Sequence, residues 1–439
     1  MRHQHLGEIY SSAARRHGPN RNPIIVIPGI LGSRLTDSET EETVWGLLGG
    51  GYIRKQFEHL AFPMKKGRSL ADLTDTTVPG DVLDRLGVRV GATLQVKAYA
   101  QLLSALGVGG YRDETLGRAG AVDYGDEHFT CFQFGYDWRR SSAENARRLD
   151  RFIQEKKIYV ENENRRRFGR TNPVRFDLVA HSMGGLVARY YLRHGSAPLP
   201  KNGGLPPITW AGARHVEKTI LVGTPNGGSS LAADQLTNGW RPAVILQEFP
   251  PALLATMPSI YELLPRSREG KVLGPGGAPV DLLDPEQWVN RELGLFGPGQ
   301  DKSLERLLPA TTSSNERSVI ARDHLEKCLA NADQFHRTLD RPAKLPAHTR
   351  LYLFAGDATD TTDVVEITGP GSLKMKSTAL GDGTVTRNSA LRSTKAPTGD
   401  SPYSSPVDWT HATFIAADHL GLTSDPTFTD NVLHLLLEA

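Results

Sequence analysis

The segment LVAHSMGG at residues 178–185 constrains this chain more than any other feature. It follows a strand pattern at 174–180 (VRFDLVA) and opens a helical pattern from Gly184 to His194 that closes at Gly195. A strand that passes into a helix over so few residues must turn sharply, and the turn lifts its apex residue, Ser182, above the end of a sheet. Crowding is greatest two residues to either side, where Ala180 and Gly184 stand. Glycine is the usual occupant of the first position, and the single methyl of Ala180 still fits. The helix behind Ser182 aims first-turn N–H groups at the apex. The plain alternative is a serine that merely caps a helix, which the Ser-x-Gly-Gly sequence after a strand end disfavours.

The rest of the chain alternates strand and helix patterns. Residues 23–28 (PIIVIP), 129–134 (FTCFQF), 216–223 (VEKTILVG), 350–355 (RLYLFA) and 410–417 (THATFIAA) read as further strands. The first of these, a continuous apolar and β-branched run, suits a strand buried on both faces. A long helix is expected over 141–167, capped by Ser141 or Ser142, and a closing helix over 425–437. The expected class is therefore α/β: a mostly parallel sheet with helices on both faces. Two stretches, 45–125 and 231–343, break the rhythm and read as cap or lid insertions on one domain spanning 1–439.

Composition removes other classes. A formal charge of +2 over 439 residues leaves no global basic field for nucleic acid. Two cysteines, Cys131 and Cys328, make neither a disulfide framework nor a cysteine zinc site. Apolar runs fall far short of the ~18 residues of a spanning helix, and residues 1–20 lack the apolar core of a signal peptide. A cytoplasmic protein is expected, with no metal and no cofactor. Asp357, Asp360 and Asp363 do not follow the spacing of a calcium loop. The basic run Arg165, Arg166 and Arg167 reads as a solvated helix face.

A serine hydroxyl needs a base, and on a sheet of this kind the partners follow in the order Ser, acid, His. The acid belongs after the next-to-last strand, where Asp382 lies in the turn GDGTV, with Asp357 as the competitor. The base belongs between the last strand and last helix, at His419 in DHLGL. His411 falls at the wrong end of the final strand, and His434 reads as a buried structural residue of the closing helix. Acyl transfer also needs oxyanion donors. The Met183 N–H is one, and the Leu31 N–H in PGILGS (28–33) the other. That glycine-rich turn lacks the ending of a phosphate loop. Ile30, Trp45 and His181 are candidate substrate contacts.

These segments, in order, resemble the lecithin:cholesterol acyltransferase family, a branch of the α/β-hydrolase lipases. PGILGS resembles its oxyanion turn and AHSMGG its nucleophile elbow. GYRDETL (110–116), GYDWR (135–139), GTPNGGS (223–229) and PSIYELLP (258–265, a lid segment) resemble further stretches, and GDGTV and DHLGL its acid and histidine loops. The resemblance implies an α/β-hydrolase fold and an acyl-serine enzyme that moves an acyl group from a phospholipid or acylglycerol to a lipid alcohol or to water. Ser182 would be the nucleophile, with Asp382 and His419 completing the triad. Water as sole acceptor, giving a carboxylesterase or phospholipase, is the alternative, and a non-catalytic binding protein the distant one. The acyl lipid is the expected partner, with peripheral contact to a lipid surface through Trp45, Leu47, Leu48, Tyr52 and Ile53, unless Trp45 packs on the core. Secreted relatives clamp this region with a disulfide that this chain lacks.

Overall fold

The computed structural model describes residues 4–15, 18–46, 59–83, 86–90, 92–96, 99–240, 249–266, 269–395 and 403–438. Its centre is a six-stranded sheet formed by β1 (Ile24–Ile27), β2 (Cys131–Gln133), β3 (Phe176–His181), β4 (Val216–Val222), β5 (Arg350–Gly356) and β6 (His411–Ile415). Their spatial order is β6-β5-β4-β3-β1-β2, and every pairing is parallel. All residues of β1 and β3 are buried. Their side chains alternate between two cores. Ile25, Ile27, Leu178 and Ala180 join one cluster, while Ile24, Val26 and Val179 join another on the opposite face. A sheet covered on both sides has no solvent face, which is why β1 reads as an unbroken apolar run and β3 is apolar from Leu178 to Ala180.

Helix α1 (Ser142–Phe168) places Leu149 and Ile153 in the first cluster together with Tyr190 and Tyr191 of α2 (Met183–His194). Ser141 caps α1, accepting from the Ala143 N–H. The closing helix, here α6 (Pro426–Leu437), covers the second face through Phe428, Val432 and Leu433. His434 lies on its exposed side, 3.6 Å from Glu438, not in the core; the apolar stripe passes through its neighbours instead.

Chain order reverses beside β1: β2 lies on one flank and β3 on the other. The loops at the carboxyl ends of β1 and β3 part there, which makes the crevice where open α/β sheets place ligands. Both irregular stretches roof this end. The strands Ser33–Asp37, Thr43–Trp45 and Thr77–Val82 form a small antiparallel sheet directly after the β1 loop, so the departure from the core begins at Ser33, ahead of Trp45. The second stretch contributes α3 (Ser230–Asn238), α4 (Pro258–Glu262) and α5 (Ser314–Leu339). Helix α4 is buried throughout. The last carbonyl of α5, at Leu339, accepts from Arg189 (3.1 Å) and Arg193 (2.8 Å) of α2, which ties the roof to the helix behind Ser182.

Sequence patterns left several elements unread, the helices Gln4–Arg15, Ala100–Val108 and Ser314–Leu339 among them. A long hairpin, Thr359–Gly369 with Ser372–Gly381, lies between β5 and Asp382 and pairs with Val272–Leu273. Its outer strand is largely exposed and polar, so it has little apolar periodicity to detect. Among the described residues, no helix is long and apolar enough to cross a membrane, and no group of acidic, histidine or cysteine side chains could hold a metal.

Candidate active site

Ser182 stands at the junction of β3 and α2 with φ 52° and ψ −128°. Few non-glycine residues adopt such a backbone, and its strain must be held by the surroundings. One support is the Ser182 N–H, which donates to the Val222 carbonyl at the end of β4 (2.8 Å). Another is close packing: a Cβ on Gly184 would come within 2.3 Å of the Pro28 carbonyl oxygen, so only glycine lets α2 approach the β1 loop.

The Ser182 hydroxyl lies 2.9 Å from Nε2 of His419, and Nδ1 of His419 lies 2.8 Å from Oδ2 of Asp382. The other Asp382 oxygen accepts from the N–H groups of Thr384 (2.9 Å) and Val385 (2.7 Å). Burial works to raise the Asp382 pKa, but the facing His419 charge and these hydrogen bonds outweigh it and hold the carboxyl below its ordinary range. The His419 N–H donates to the Asp382 carbonyl (2.9 Å), so backbone and side chains of the two loops dock together.

The competing residues are elsewhere. Asp357 ends β5 but faces Arg387 at 3.6 Å. His411 is exposed at the start of β6, away from the strand ends that carry Ser182.

Leu31 has φ 62°, a left-handed conformation that a branched residue adopts only when held. The Trp45 indole N–H donates to its carbonyl (2.8 Å). Its own N–H has no acceptor among the described residues, and neither does that of Met183 in the first turn of α2. Gly29 lets this loop close on the nucleophile, because a Cβ there would meet the Ser182 Cβ at 2.8 Å. Trp45 is not a lipid-contacting tip: it is 6% exposed and packs edge-on against Trp138 and Phe249. The other residues expected in that tip, Leu47, Leu48, Tyr52 and Ile53, lie outside the described residues.

A cavity of about 280 Å³ opens at Ser182. Its wall is mainly apolar: Leu60, Leu83, Trp138, Leu254, Met257, Ile260, Leu263 and Leu420, with Trp240 and Phe249 stacked at 5.3 Å. Ile30, Leu31, His181 and His419 also line it, whereas Trp45 does not. From the second insertion, Leu254 and Leu263 reach the cavity, while Tyr261 packs in the core beside Trp288. Sequence reasoning missed Tyr99, which is buried against His181 with its hydroxyl 2.9 Å from Nδ1. It follows a stretch without a clear pattern, and nothing in its neighbourhood along the chain marks it.

The sequence model of lecithin:cholesterol acyltransferase matches residues 96–274. The chain is similar to lecithin-cholesterol acyltransferase-like 4 of Arabidopsis thaliana, at 25% identity over 56% of this chain and 43% of that protein. It is also similar to phospholipid:diacylglycerol acyltransferase of Schizosaccharomyces pombe, at 24% identity over 49% of this chain and 32% of that protein. The aligned part thus spans less than half the length of either relative. Among solved structures, a chain of the Tle4–Tli4 complex shares the fold with a TM-score of 0.57 and 16% identity, over 94% of this chain and 98% of that one. The parallel sheet and the serine at the strand–helix turn are those of an α/β-hydrolase fold, and within it residues 96–274 are similar to the lecithin:cholesterol acyltransferase family.

Proposed function

We propose that this protein is a serine-dependent lipid acyltransferase or lipase whose nucleophile is Ser182. The observation that carries the reading is the continuous line from Asp382 through His419 to Ser182 at the mouth of an apolar cavity. The Ser182 oxygen attacks the ester carbonyl of an acyl lipid while His419 Nε2 takes the hydroxyl proton. Asp382 holds the Nδ1–H tautomer and stabilises the imidazolium. The N–H groups of Leu31 and Met183 receive the oxyanion. The C–O bond to the leaving alcohol breaks as His419 returns the proton to it, leaving an acyl-serine. A second alcohol, or water, then gives its proton to His419 as it attacks the acyl carbonyl, and the C–O bond to Ser182 breaks as His419 returns that proton to the Ser182 oxygen.

The similarity of residues 96–274 to lecithin:cholesterol acyltransferase and the apolar cavity wall support a lipid alcohol as acceptor, because a cavity with few polar groups disfavours bound water. The test is incubation of the purified protein with phospholipid and acylglycerol vesicles, with and without a long-chain alcohol or sterol, followed by mass spectrometry. New ester at constant donor consumption is the expected result. Free fatty acid alone, across a panel of alcohols, would make the protein a lipase. Neither product, or product formed equally by Ser182→Ala, would overturn the reading.

A further inference from the structure

Three loops meet at Ser182 with no continuous backbone between them: the loop after β1 that holds Leu31, the turn after β3, and the loop after β6 that holds His419. A chain of hydrogen bonds joins them. The Gly29 N–H donates to the Tyr99 hydroxyl oxygen at 2.8 Å. That hydroxyl lies 2.9 Å from Nδ1 of His181, and Nε2 of His181 lies 3.0 Å from the carbonyl oxygen of His419.

The direction of every bond follows from chemistry. A carbonyl only accepts, so Nε2 of His181 carries the proton. Burial, then the neighbouring His419, pushes the His181 pKa down to about 3, so its ring is neutral and Nδ1 is left as an acceptor. The Tyr99 O–H, kept protonated by burial, must therefore donate to Nδ1. Its oxygen is free to accept from Gly29. Both side chains are almost fully buried, at 3% and 4% exposure, and the rings meet edge-on with centroids 5.7 Å apart. One consequence concerns the oxyanion: the Gly29 N–H is committed to Tyr99, which removes it as an oxyanion donor on this loop.

We infer that Tyr99 and His181 are positioning residues that set the distance between the oxyanion donor and the catalytic base. The inference rests on the acyl-serine reading above. His181 immediately precedes Ser182 and holds the His419 loop from one side, while the Asp382 carbonyl holds it from the other. Tyr99 anchors the Leu31 loop to the same imidazole. Misalignment of loop and base harms the transition state, where both act at once, more than ground-state binding.

Tyr99→Phe removes one oxygen and keeps the ring packing. We expect kcat to fall about tenfold to a hundredfold, with KM within about twofold, because a buried N–H and a ring nitrogen lose their partner. His181→Gln, which can still present an N–H toward His419, should recover part of the activity that His181→Ala loses. Nitrogen-15 NMR of histidine-labelled wild type should show His181 neutral with its proton on Nε2, and Tyr99→Phe should keep that tautomer while shifting the Nδ1 resonance, which has lost its donor. A folded Tyr99→Phe variant with kcat within twofold of wild type would overturn the proposal, as would a His181 proton on Nδ1 in the wild type. The NMR measurement decides even where the variant does not fold. Failure of the underlying reading looks different: Ser182→Ala would retain turnover, whatever the His181 tautomer.

Discussion

Nε2 of His419 sits 2.9 Å from the hydroxyl of Ser182 although 237 residues separate the two along the chain. Neither residue has another route to this distance than the parallel register of β3, β4, β5 and β6, which brings the carboxyl ends of β3 and β6 to one side of the sheet. A fluorophosphonate probe should label the wild type and not Ser182→Ala. Ser182→Ala and His419→Ala should each lower kcat by roughly 10⁴-fold or more, and the double variant should be little worse, since members of such a unit do not act additively. Turnover by His419→Ala near that of the wild type would remove it as the base.

Asp382 should orient rather than titrate. Asp382→Asn keeps the shape but reverses the tautomer that His419 needs, and should lower kcat on the order of 10⁴-fold. Because the folded-state pKa is below the ordinary value, the stabilisation from this carboxylate is present above pH 3.8 and lost as pH falls through the folded value. Denaturant melts of wild type and Asp382→Asn should therefore differ by a constant amount near neutrality and converge in strong acid. Convergence that begins near neutral pH would contradict this assignment.

Backbone geometry makes a separate prediction at Leu31. With φ at 62°, Leu31→Gly should keep the N–H and relieve strain, leaving kcat within a few-fold. Trp45→Phe removes the indole N–H that holds the Leu31 carbonyl and should lower kcat about tenfold without unfolding the protein. Leu31→Pro is a poor probe, because proline cannot adopt this φ and would displace the whole loop. Full activity in Trp45→Phe would show that the loop holds itself.

The stacked pair of Trp240 and Phe249 is expected to limit the acyl chain. The two residues exchange backbone hydrogen bonds of 2.9 Å and 2.7 Å and form part of the cavity wall. Trp240→Ala should shift the preference among p-nitrophenyl esters toward longer chains. Each additional methylene that reaches the vacated space should raise kcat/KM roughly threefold to fourfold. An unchanged chain-length profile would place the acyl group elsewhere.

A fifth expectation concerns the roof. Glu262 on α4 is fully buried and accepts from the Ser141 hydroxyl (2.6 Å), the Ser142 N–H (2.8 Å) and the Asn331 amide (2.8 Å). Burial raises its pKa from 4.5 to about 7. Its proton-linked stability is therefore fully present below pH 4.5 and lost as pH rises through about 7. Glu262→Gln should flatten the stability difference over that interval by up to about 3 kcal/mol, read from paired melts at several pH values. Parallel wild-type and variant curves would show that Glu262 does not titrate there.

Much of the fold was visible along the chain, because strands buried on both faces must be apolar at consecutive positions. Ile24 to Ile27 and Leu178 to Ala180 carry that signal locally, and the serine between Ala180 and Gly184 and the cap at Ser141 carry local signals of their own. The hairpin 359–381 did not, since its exposed strand has no apolar face to reveal it. His434 was misplaced for the converse reason: a helix stripe one residue wide of the true one puts a surface histidine in the core.

The sequence by itself determined the order of chemistry: a serine at a strand–helix turn, then an acid turn, then a histidine loop, on an alternating α/β chain. Only the tertiary structure decided which groups touch. It separated Asp357 and His411 from the site, buried Trp45 against Trp138 and turned its indole toward the Leu31 carbonyl, and brought Tyr99 beneath His181. The physical reason is that hydrogen bonds between loops depend on strand register and on packing at distances of a few ångströms, whereas sequence periodicity reports only which face of each element is apolar.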